Sequence, residues 1–229
     1  MSSAITQYPL FPNSGSLLSS RYFTLGRLGR GTFCSIHKCI DLKTRTIAAA
    51  KVELADFANS GVLEGEASIL RHLSVHCPVE VPHYMDYVKE SGNICAIIME
   101  FLPGEDMHLL RDKASANQDR RLHVNDAVYL TADVMLPLLK KMHDIGVLHR
   151  DVKPSNCVRM SPTKDFKIVD FGLSKSFVVP ESSPFADKSQ PWTGIWSTTS
   201  NGEKGSIRQE RPKAEFRGTS MYASLPVHQ

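Results

Sequence analysis

Two short segments carry the side chains that could do chemistry, residues 147–156 and residues 168–172. The first reads Val-Leu-His-Arg-Asp-Val-Lys-Pro-Ser-Asn and offers a base and a metal ligand on one loop. The second reads Ile-Val-Asp-Phe-Gly and offers another metal ligand on a second loop. Carboxylate and amide oxygens are hard ligands of the kind that Mg²⁺ prefers. The sequence before these loops is therefore expected to hold a nucleotide over them.

The elements that would position a nucleotide begin with a predicted hairpin. A strand starting near Tyr22 and a strand at 35–40 are joined by a turn that contains Gly29 and Gly31. A Gly-x-Gly turn alone is weak support for phosphate binding, because many hairpins contain one. Lys51 adds weight, since it ends the strand segment Ala-Ala-Ala-Lys among small and apolar residues. A buried ammonium group without a partner is costly, so Lys51 requires an acidic partner.

A helical pattern over residues 61–73 supplies that partner. Glu66 is the better placed candidate, because it lies four residues before Leu70 on the apolar side of the pattern. Glu64 competes for the same role, and the plain alternative is that both glutamates face solvent. Strands at 82–88 and 93–99 follow, and then a long helix at 124–144. Pro137 predicts a kink in that helix.

The combined pattern resembles the eukaryotic protein kinase family from about residue 22 to residue 224. The resemblance depends on several motifs in the correct order, and the third glycine of the usual loop is replaced by Cys34. The matching residues are Gly29, Gly31, Ile36, Lys51, Glu66, His149, Arg150, Asp151, Asn156, Asp170, Phe171 and Gly172.

The resemblance implies a role for each of these residues in phosphoryl transfer from ATP, with Mg²⁺, to protein hydroxyls. Lys51, oriented by Glu66, would hold the α- and β-phosphates, and Asn156 and Asp170 would ligate the metal. Asp151 would accept the substrate proton, and Lys153 would steady the phosphoryl group. The backbone of Glu100 and Leu102 would bind adenine. The remaining nucleotide contacts implied are Leu28, Gly29, Gly31, Ile36 and Ala49.

Within the family, Lys153 is the serine/threonine form of the loop. The closest resemblance is to casein kinase 1 and the tau-tubulin kinases, on Met99-Glu100 and on Gly-Thr-Ser-Met-Tyr-Ala-Ser at 218–224. In that segment, Thr219 matches a family threonine that contacts the catalytic aspartate and lysine. Arg150 could pair with a phosphate in the activation segment.

The resemblance implies an α+β, two-lobed, kinase-like fold. The expected divisions are a disordered leader at 1–20, a β-rich small lobe at 21–103 and a partial helical large lobe at 104–229. A Ser-, Thr-, Pro- and Gly-rich stretch at about 176–213 is expected to be a disordered insertion. The chain looks like a C-terminally truncated kinase, because the family continues with further helices.

Two functions follow from this pattern. The first is a serine/threonine protein kinase, at least as the parent activity. The second is a catalytically weak or inactive fragment that binds a nucleotide or a partner. A small-molecule kinase is disfavoured by Lys153 and by the segment around Thr219.

Composition limits the partners and the compartment. A net charge of +3 is too small to indicate nucleic acid or a membrane surface. The five scattered cysteines form no paired motif, which favours reduced thiols and an intracellular site, cytoplasm or nucleus. No membrane-spanning or secretory segment is visible. Protein substrates are the expected partners, and the oligomeric state is open.

A zinc site is conceivable near the end of the predicted helix, but the spacing of its candidate ligands fits no paired ligand pattern. These candidates are His72, His76, Cys77 and His83.

Overall fold

The computed structural model describes residues 15–31, 33–53, 61–90, 94–115, 123–160, 165–195, 197–199, 202–210 and 218–222. The chain divides into two compact units, with boundaries after Ser68, after Val81 and after Leu102. The segment between Ser68 and Pro82 belongs to the second unit together with everything after Leu102. The predicted α+β class is confirmed, because the first unit is built on a sheet and the second contains most of the helices.

The first unit contains a six-stranded antiparallel sheet with the order β1-β2-β3-β4-β6-β5. Burial alternates along β3 and at the start of β2, so one side chain in two faces the core there, whereas residues 48–53 of β4 are buried without a break. The strands are β1 (Leu17–Leu18), β2 (Tyr22–Arg30), β3 (Cys34–Asp41), β4 (Thr46–Glu53), β5 (Tyr84–Glu90) and β6 (Ile94–Glu100).

Strand β1 corrects part of the predicted leader. Leu18 pairs with Tyr22 across the first hairpin and is only 1% exposed. A polar composition with little periodicity suggested disorder up to residue 20, but the one buried leucine, Leu18, suffices to add an edge strand to the core. The prediction of a disordered leader is therefore wrong for residues 15–20, and residues 1–14 lie outside the described part of the chain.

The core of the first unit lies on one face of this sheet. Alternate residues of β3, namely Ser35, His37, Cys39 and Asp41, are buried. Asp41 is held by Arg21, whose Nε and Nη2 donate to the two carboxylate oxygens at 2.9 and 2.7 Å. The apolar cluster consists of Leu18, Tyr22, Cys39, Ala48, Ala50, Val52, Val88, Ala96 and Ile98.

Helix α1 (Val62–His76) confirms the helical pattern predicted at 61–73. Gly61 precedes it with φ +72°, a conformation that glycine adopts without strain. Leu63, Ala67, Leu70 and Leu73 are buried at helical spacing. The buried side of the helix also carries Glu66, which the sequence favoured for that reason.

The second unit contains α2 (Met107–Ser115) and then one long helical segment. That segment consists of α3 (Val124–Val128), a π-helical stretch (Tyr129–Met135) and α4 (Leu136–Asp144), so the helix predicted at 124–144 is confirmed. The irregularity lies just before Pro137, where the Leu136 N–H donates to the Thr131 carbonyl. Proline has no N–H of its own to donate, which disfavours a regular ladder there. Gly146, with φ +80°, follows the last turn.

Short strands border the two segments, 147–156 and 168–172, that carry the candidate functional side chains. Strand β7 (Val147–Leu148) pairs with β10 (Lys175–Ser176), and β8 (Cys157–Arg159) pairs with β9 (Phe166–Ile168). Lys167, in β9, is buried and donates to the carbonyls of Pro78 and Val81 at 3.1 and 3.0 Å. Because these carbonyls belong to the segment that follows α1, β9 is fixed to that segment within the second unit.

The predicted disordered insertion at about 176–213 is wrong for most of its described residues. A three-stranded antiparallel sheet with the order β11-β13-β12 occupies this region. Val178, Val179 and Ala186 are buried, and the Trp192 ring packs edge-on against Phe177. In the sequence, these few apolar residues stand among many serines, prolines and glycines, and the composition therefore suggested disorder. The strands are β11 (Val178–Pro180), β12 (Ala186–Pro191) and β13 (Gly205–Arg208).

Candidate active site

The first unit brings Lys51 of β4 and Glu66 of α1 together. Nζ of Lys51 lies 2.7 Å from Oε1 of Glu66, and the two residues are 8% and 6% exposed. Breaking a buried pair of this kind leaves an uncompensated charge, so each side chain fixes the other. The competing Glu64 is exposed in the first turn of α1. The partner predicted for Lys51 is thus the one observed.

Other predicted nucleotide contacts share the strand face of Lys51. Ile36 of β3 lies directly opposite Lys51, and opposed residues of an antiparallel pair project to the same side. Ala49 precedes Lys51 by two residues and therefore projects to that side as well. The face thus presents a small side chain, an ammonium group and an apolar side chain.

The glycine turn lies between β2 and β3. The Gly31 N–H donates to the Cys34 carbonyl at 2.8 Å, which closes the turn. Gly29 pairs with Ile36 after a register shift in β2, and Leu28, within that shift, is exposed. A side chain at Gly31 would meet only the Cys34 carbonyl, at 3.6 Å from its Cβ. The Gly31 N–H is thus committed to closing the turn.

Glu100 ends β6 and is held by His83 from two sides. The Glu100 N–H donates to the His83 carbonyl at 2.8 Å, and the His83 N–H donates to Oε2 of Glu100 at 2.9 Å. Nζ of Lys38 lies 4.8 Å from the centre of the Phe101 ring, a cation–π contact that fixes the next residue. Leu102 follows and is half-buried. With its N–H occupied, Glu100 can offer a ligand only its backbone carbonyl.

In the second unit, three side chains converge on Asp151. Oδ1 accepts hydrogen bonds from the backbone N–H and the hydroxyl of Thr219, at 3.0 and 2.7 Å. Oδ2 accepts from Nζ of Lys153 at 2.6 Å and from Nδ2 of Asn156 at 3.2 Å. Lys153 also donates to the Thr219 hydroxyl at 3.2 Å. The carboxylate is thereby fixed in one orientation.

These partners control the charge of Asp151. Burial opposes ionisation, but the Lys153 ammonium, the Thr219 hydroxyl and the Asn156 amide outweigh it and hold the pKa below its ordinary value. Asp151 is therefore ionised at neutral pH. A carboxylate of low pKa is a weak base, and such a group is better suited to orienting a hydroxyl than to removing its proton early in a reaction.

His149 links the two chemical segments, a role that the sequence did not reveal beyond its place in the motif. Its Nδ1 accepts the Asp151 N–H at 3.2 Å, and its Nε2 donates to the Val169 carbonyl at 3.0 Å. Burial lowers the pKa of His149, which keeps the ring neutral in this tautomer. The ring also packs edge-on against Phe171 at 5.5 Å. The linking role of His149 is recognised from its burial between the two loops, which only the structure shows.

Asn156 and Asp170 offer the oxygen ligands for a metal. Asn156 donates two hydrogen bonds from Nδ2, to the carbonyl and carboxylate of Asp151, so Oδ1 is the side-chain atom that would ligate a metal. The Val169 N–H donates to the Asn156 carbonyl at 2.9 Å, which places the residue before Asp170 next to the first loop. Asp170 has φ +67°, a strained conformation for a non-glycine residue that is often found at functional sites.

The oxygens of Asn156 and Asp170 suit Mg²⁺, which binds few protein oxygens and otherwise water or phosphate.

In the part of the chain that the structure describes, no three His, Cys, Asp or Glu side chains are placed to hold a metal ion. The zinc hypothesis therefore has no support, and the rings of His72 and His76 pack edge-on, with their centres 4.7 Å apart. Among the described residues, no helix is both long and apolar enough to span a membrane.

Comparison with known proteins agrees with this geometry. The family model described as protein kinase domain matches residues 22–193. A probable serine/threonine-protein kinase of Dictyostelium discoideum is 29% identical over 94% of this chain and 38% of its own length. A putative serine/threonine-protein kinase of Caenorhabditis elegans is 27% identical over 93% of this chain and 55% of its own length.

A third relative is the calcium/calmodulin-dependent protein kinase type I of Schizosaccharomyces pombe. It is 28% identical over 69% of this chain and 46% of its own length. The chain thus spans about half, or less, of the length of the curated relatives it matches.

Proposed function

Because this chain belongs to the protein kinase family, we propose that it transfers the terminal phosphoryl group of ATP to serine and threonine hydroxyls of protein substrates. The observation that carries the proposal is the set of contacts around Asp151. A carboxylate held by Lys153, Thr219 and Asn156 is ready to orient an incoming hydroxyl. Two relatives are named as serine/threonine-protein kinases, which supports the choice of acceptor.

The transfer step needs positioning and charge neutralisation more than covalent help from the protein. Asp151 would align the hydroxyl oxygen of the substrate and receive its proton. Lys153, with Nζ 2.6 Å from Asp151, would place a positive charge where the transferred group becomes negative. His149 would keep Asp151 in place through the hydrogen bond that it accepts from the backbone.

The nucleotide would be held by groups of the first unit. Lys51, oriented by Glu66, would contact the α- and β-phosphates, and the glycine turn at 29–31 would lie over them. Adenine would bind the Glu100 carbonyl and the Leu102 N–H. The apolar contacts would come from Leu28, Ile36 and Ala49. When bound, Mg²⁺ supplies neutralisation of the phosphate charge, and Asn156 and Asp170 would hold it.

We further propose that the chain is closest to the casein kinase 1 and tau-tubulin kinase group. Met99-Glu100 and the segment from Gly218 support this assignment. The contacts of Thr219 with Asp151 and Lys153 fit the role expected of that segment. Residues 223–224, which complete the motif, lie outside the described residues. The five free thiols are consistent with a reducing compartment, the cytoplasm or the nucleus.

A second candidate is a catalytically weak or inactive fragment that acts as a binding module for a nucleotide or a partner. The observation in its favour is the helical segment of the second unit, where Val124, Val128 and Leu136 are exposed. Exposed apolar side chains close together on one element can mark an interaction surface. The two candidates share nucleotide binding and differ in phosphoryl transfer.

Transfer of labelled phosphate from ATP to a protein substrate separates the candidates. The chain would be compared with its Asp170→Ala variant, and nucleotide binding would be measured in parallel by calorimetry. Transfer by the unaltered chain, absent in Asp170→Ala, supports the kinase. Equal background in both, with binding retained by the unaltered chain, supports the binding module and removes the kinase proposal.

A further inference from the structure

Residues 173–178 run alongside residues 146–150 and contact them at almost every position. Nε of Arg150 donates to the Leu173 carbonyl at 2.6 Å, and the Ser174 hydroxyl donates to the His149 carbonyl at 3.1 Å. Strands β10 and β7 pair next, and the Phe177 N–H donates to the Gly146 carbonyl at 2.9 Å. The chain entering the loop of Asp151 is therefore flanked by this segment.

Val178 ends this flank and packs on Gly146. One of its methyl groups, Cγ2, occupies the space that a side chain at residue 146 would need. Gly146 also has φ +80°, so its conformation and its neighbour both exclude a side chain. The close packing places Val178 against the residue directly before β7.

The other methyl group of Val178 packs on the inserted sheet. A Cβ built at Gly205 would lie 2.6 Å from Cγ1 of Val178, and 3.6 Å from Cβ of Trp192. Val178 pairs with Ile207 in the ladder, and the Arg208 N–H donates to the Phe177 carbonyl at 2.7 Å. Val178 is thus wedged between two glycines, one before the loop of Asp151 and one in the sheet.

We propose that Val178 is a positioning residue through which the three-stranded sheet β11-β13-β12 supports the loop of Asp151. The proposal rests on the proposed function, since it concerns the same reaction. Val178 holds Gly146, and Gly146 leads through β7 to His149, which accepts the Asp151 N–H. A shift at the start of β7 moves the carboxylate relative to the substrate hydroxyl, and small misplacements of this kind reduce turnover strongly.

Simple packing is the alternative, because Val178 is a buried valine and its loss destabilises the sheet in any case. Val179 provides the matched control. It is the next residue of β11, is equally buried, and projects to the opposite side of the strand. Val178→Ala and Val179→Ala remove the same atoms from one strand, and only the first removes the contact with Gly146.

The test measures kcat, the two KM values and hydrogen exchange of backbone amides at 145–151 for both variants. We expect Val178→Ala to lower kcat roughly tenfold or more, with both KM values nearly unchanged, and to accelerate exchange at 145–151. Val179→Ala should leave kcat within about twofold of that of the unaltered chain. Equal effects of the two variants on kcat and on exchange would overturn the proposal.

A double variant, Val178→Ala with Gly205→Ala, sharpens the distinction. The new Cβ at residue 205 enters the space vacated by Cγ1, so it refills the sheet while the space over Gly146 stays empty. Persistently low kcat supports a positioning role, and recovery of kcat overturns it. If the unaltered chain transfers no phosphate, the proposed function fails, and the exchange at 145–151 alone decides the role of Val178.

Discussion

The ammonium group of Lys51 lies 2.7 Å from Oε1 of Glu66, and both residues are more than nine-tenths buried. Two charges removed from water are tolerated only because they neutralise each other. The pair joins β4 to α1 within the first unit, so a strand and a helix share one electrostatic contact. The two side chains that stabilise this contact are also the ones proposed to position the phosphates, so one substitution is expected to affect both stability and function.

Replacing Lys51 by Ala is expected to abolish phosphoryl transfer and to destabilise the fold. The variant loses the cation proposed to bind phosphates and removes the Lys51 ammonium from the buried Glu66 carboxylate, which costs about 3–5 kcal/mol. Labelled-phosphate transfer and urea unfolding measure the two effects. Glu64→Gln is the matched control, because Glu64 lies on the same helix but is exposed. Undiminished transfer by Lys51→Ala would show that the assigned role is wrong.

Replacing Thr219 by Val is expected to move the acid limb of the kcat/KM profile to higher pH. Burial raises the pKa of Asp151, whereas Lys153, the Thr219 hydroxyl and Asn156 lower it and prevail. Losing the hydroxyl removes one of the lowering contacts, so the carboxylate is protonated at a higher pH and activity is lost sooner on acidification. We also expect kcat to fall about tenfold or more.

Thr219→Ser keeps the hydroxyl and provides the control for this experiment. Its acid limb should coincide with that of the unaltered chain. A Thr219→Val profile that only falls in height, without moving along the pH axis, would contradict a role of the hydroxyl in setting the charge of Asp151.

The sequence predicted those parts of the site that depend on local pattern and on simple electrostatics. A lysine within an apolar strand required an acid, and the buried side of one helix offered Glu66. The contact of Thr219 with Asp151 joins residues 68 positions apart. No local pattern encodes such a distance, and only the family resemblance suggested it.

What the sequence did not predict has a common physical cause, which is that few residues supply the packing. Leu18 buries one side chain and so turns an apparent leader into a strand. In the region of the inserted sheet, Val178 is buried and Trp192 is half-buried, and glycines allow their close approach. Composition averages over such isolated residues, and therefore it predicted disorder in both places. Burial by a distant partner is visible only in three dimensions.

Cys34 is expected to be the first cysteine alkylated by a thiol reagent in the folded protein. It is half-buried, whereas Cys39, Cys77, Cys95 and Cys157 are buried. Burial raises the pKa of Cys39 and Cys77 to about 11 and that of Cys157 to about 12, which suppresses their reactive thiolate forms. Adduct mapping by mass spectrometry over time measures the order. Uniform labelling in denaturant is the control, and slower labelling of Cys34 than of the others would contradict the prediction.

His37 is expected to make the first unit less stable at acidic pH. Burial lowers its pKa and the charge of Arg27 lowers it further, while Nδ1 has no hydrogen-bond partner among the described residues and Nε2 lies 2.8 Å from the Ser35 hydroxyl. The folded state therefore prefers the neutral ring. The contribution of the neutral His37 ring to the free energy of unfolding is complete above the pKa of an unfolded histidine, about 6.5. It declines as the pH falls below that value.

Urea midpoints between pH 7.5 and pH 5 should fall less for His37→Leu than for the unaltered chain. Some decline remains in the variant, because burial also lowers the pKa of His72 and His149. Parallel curves for the two proteins would show that protonation of His37 has no part in acid destabilisation.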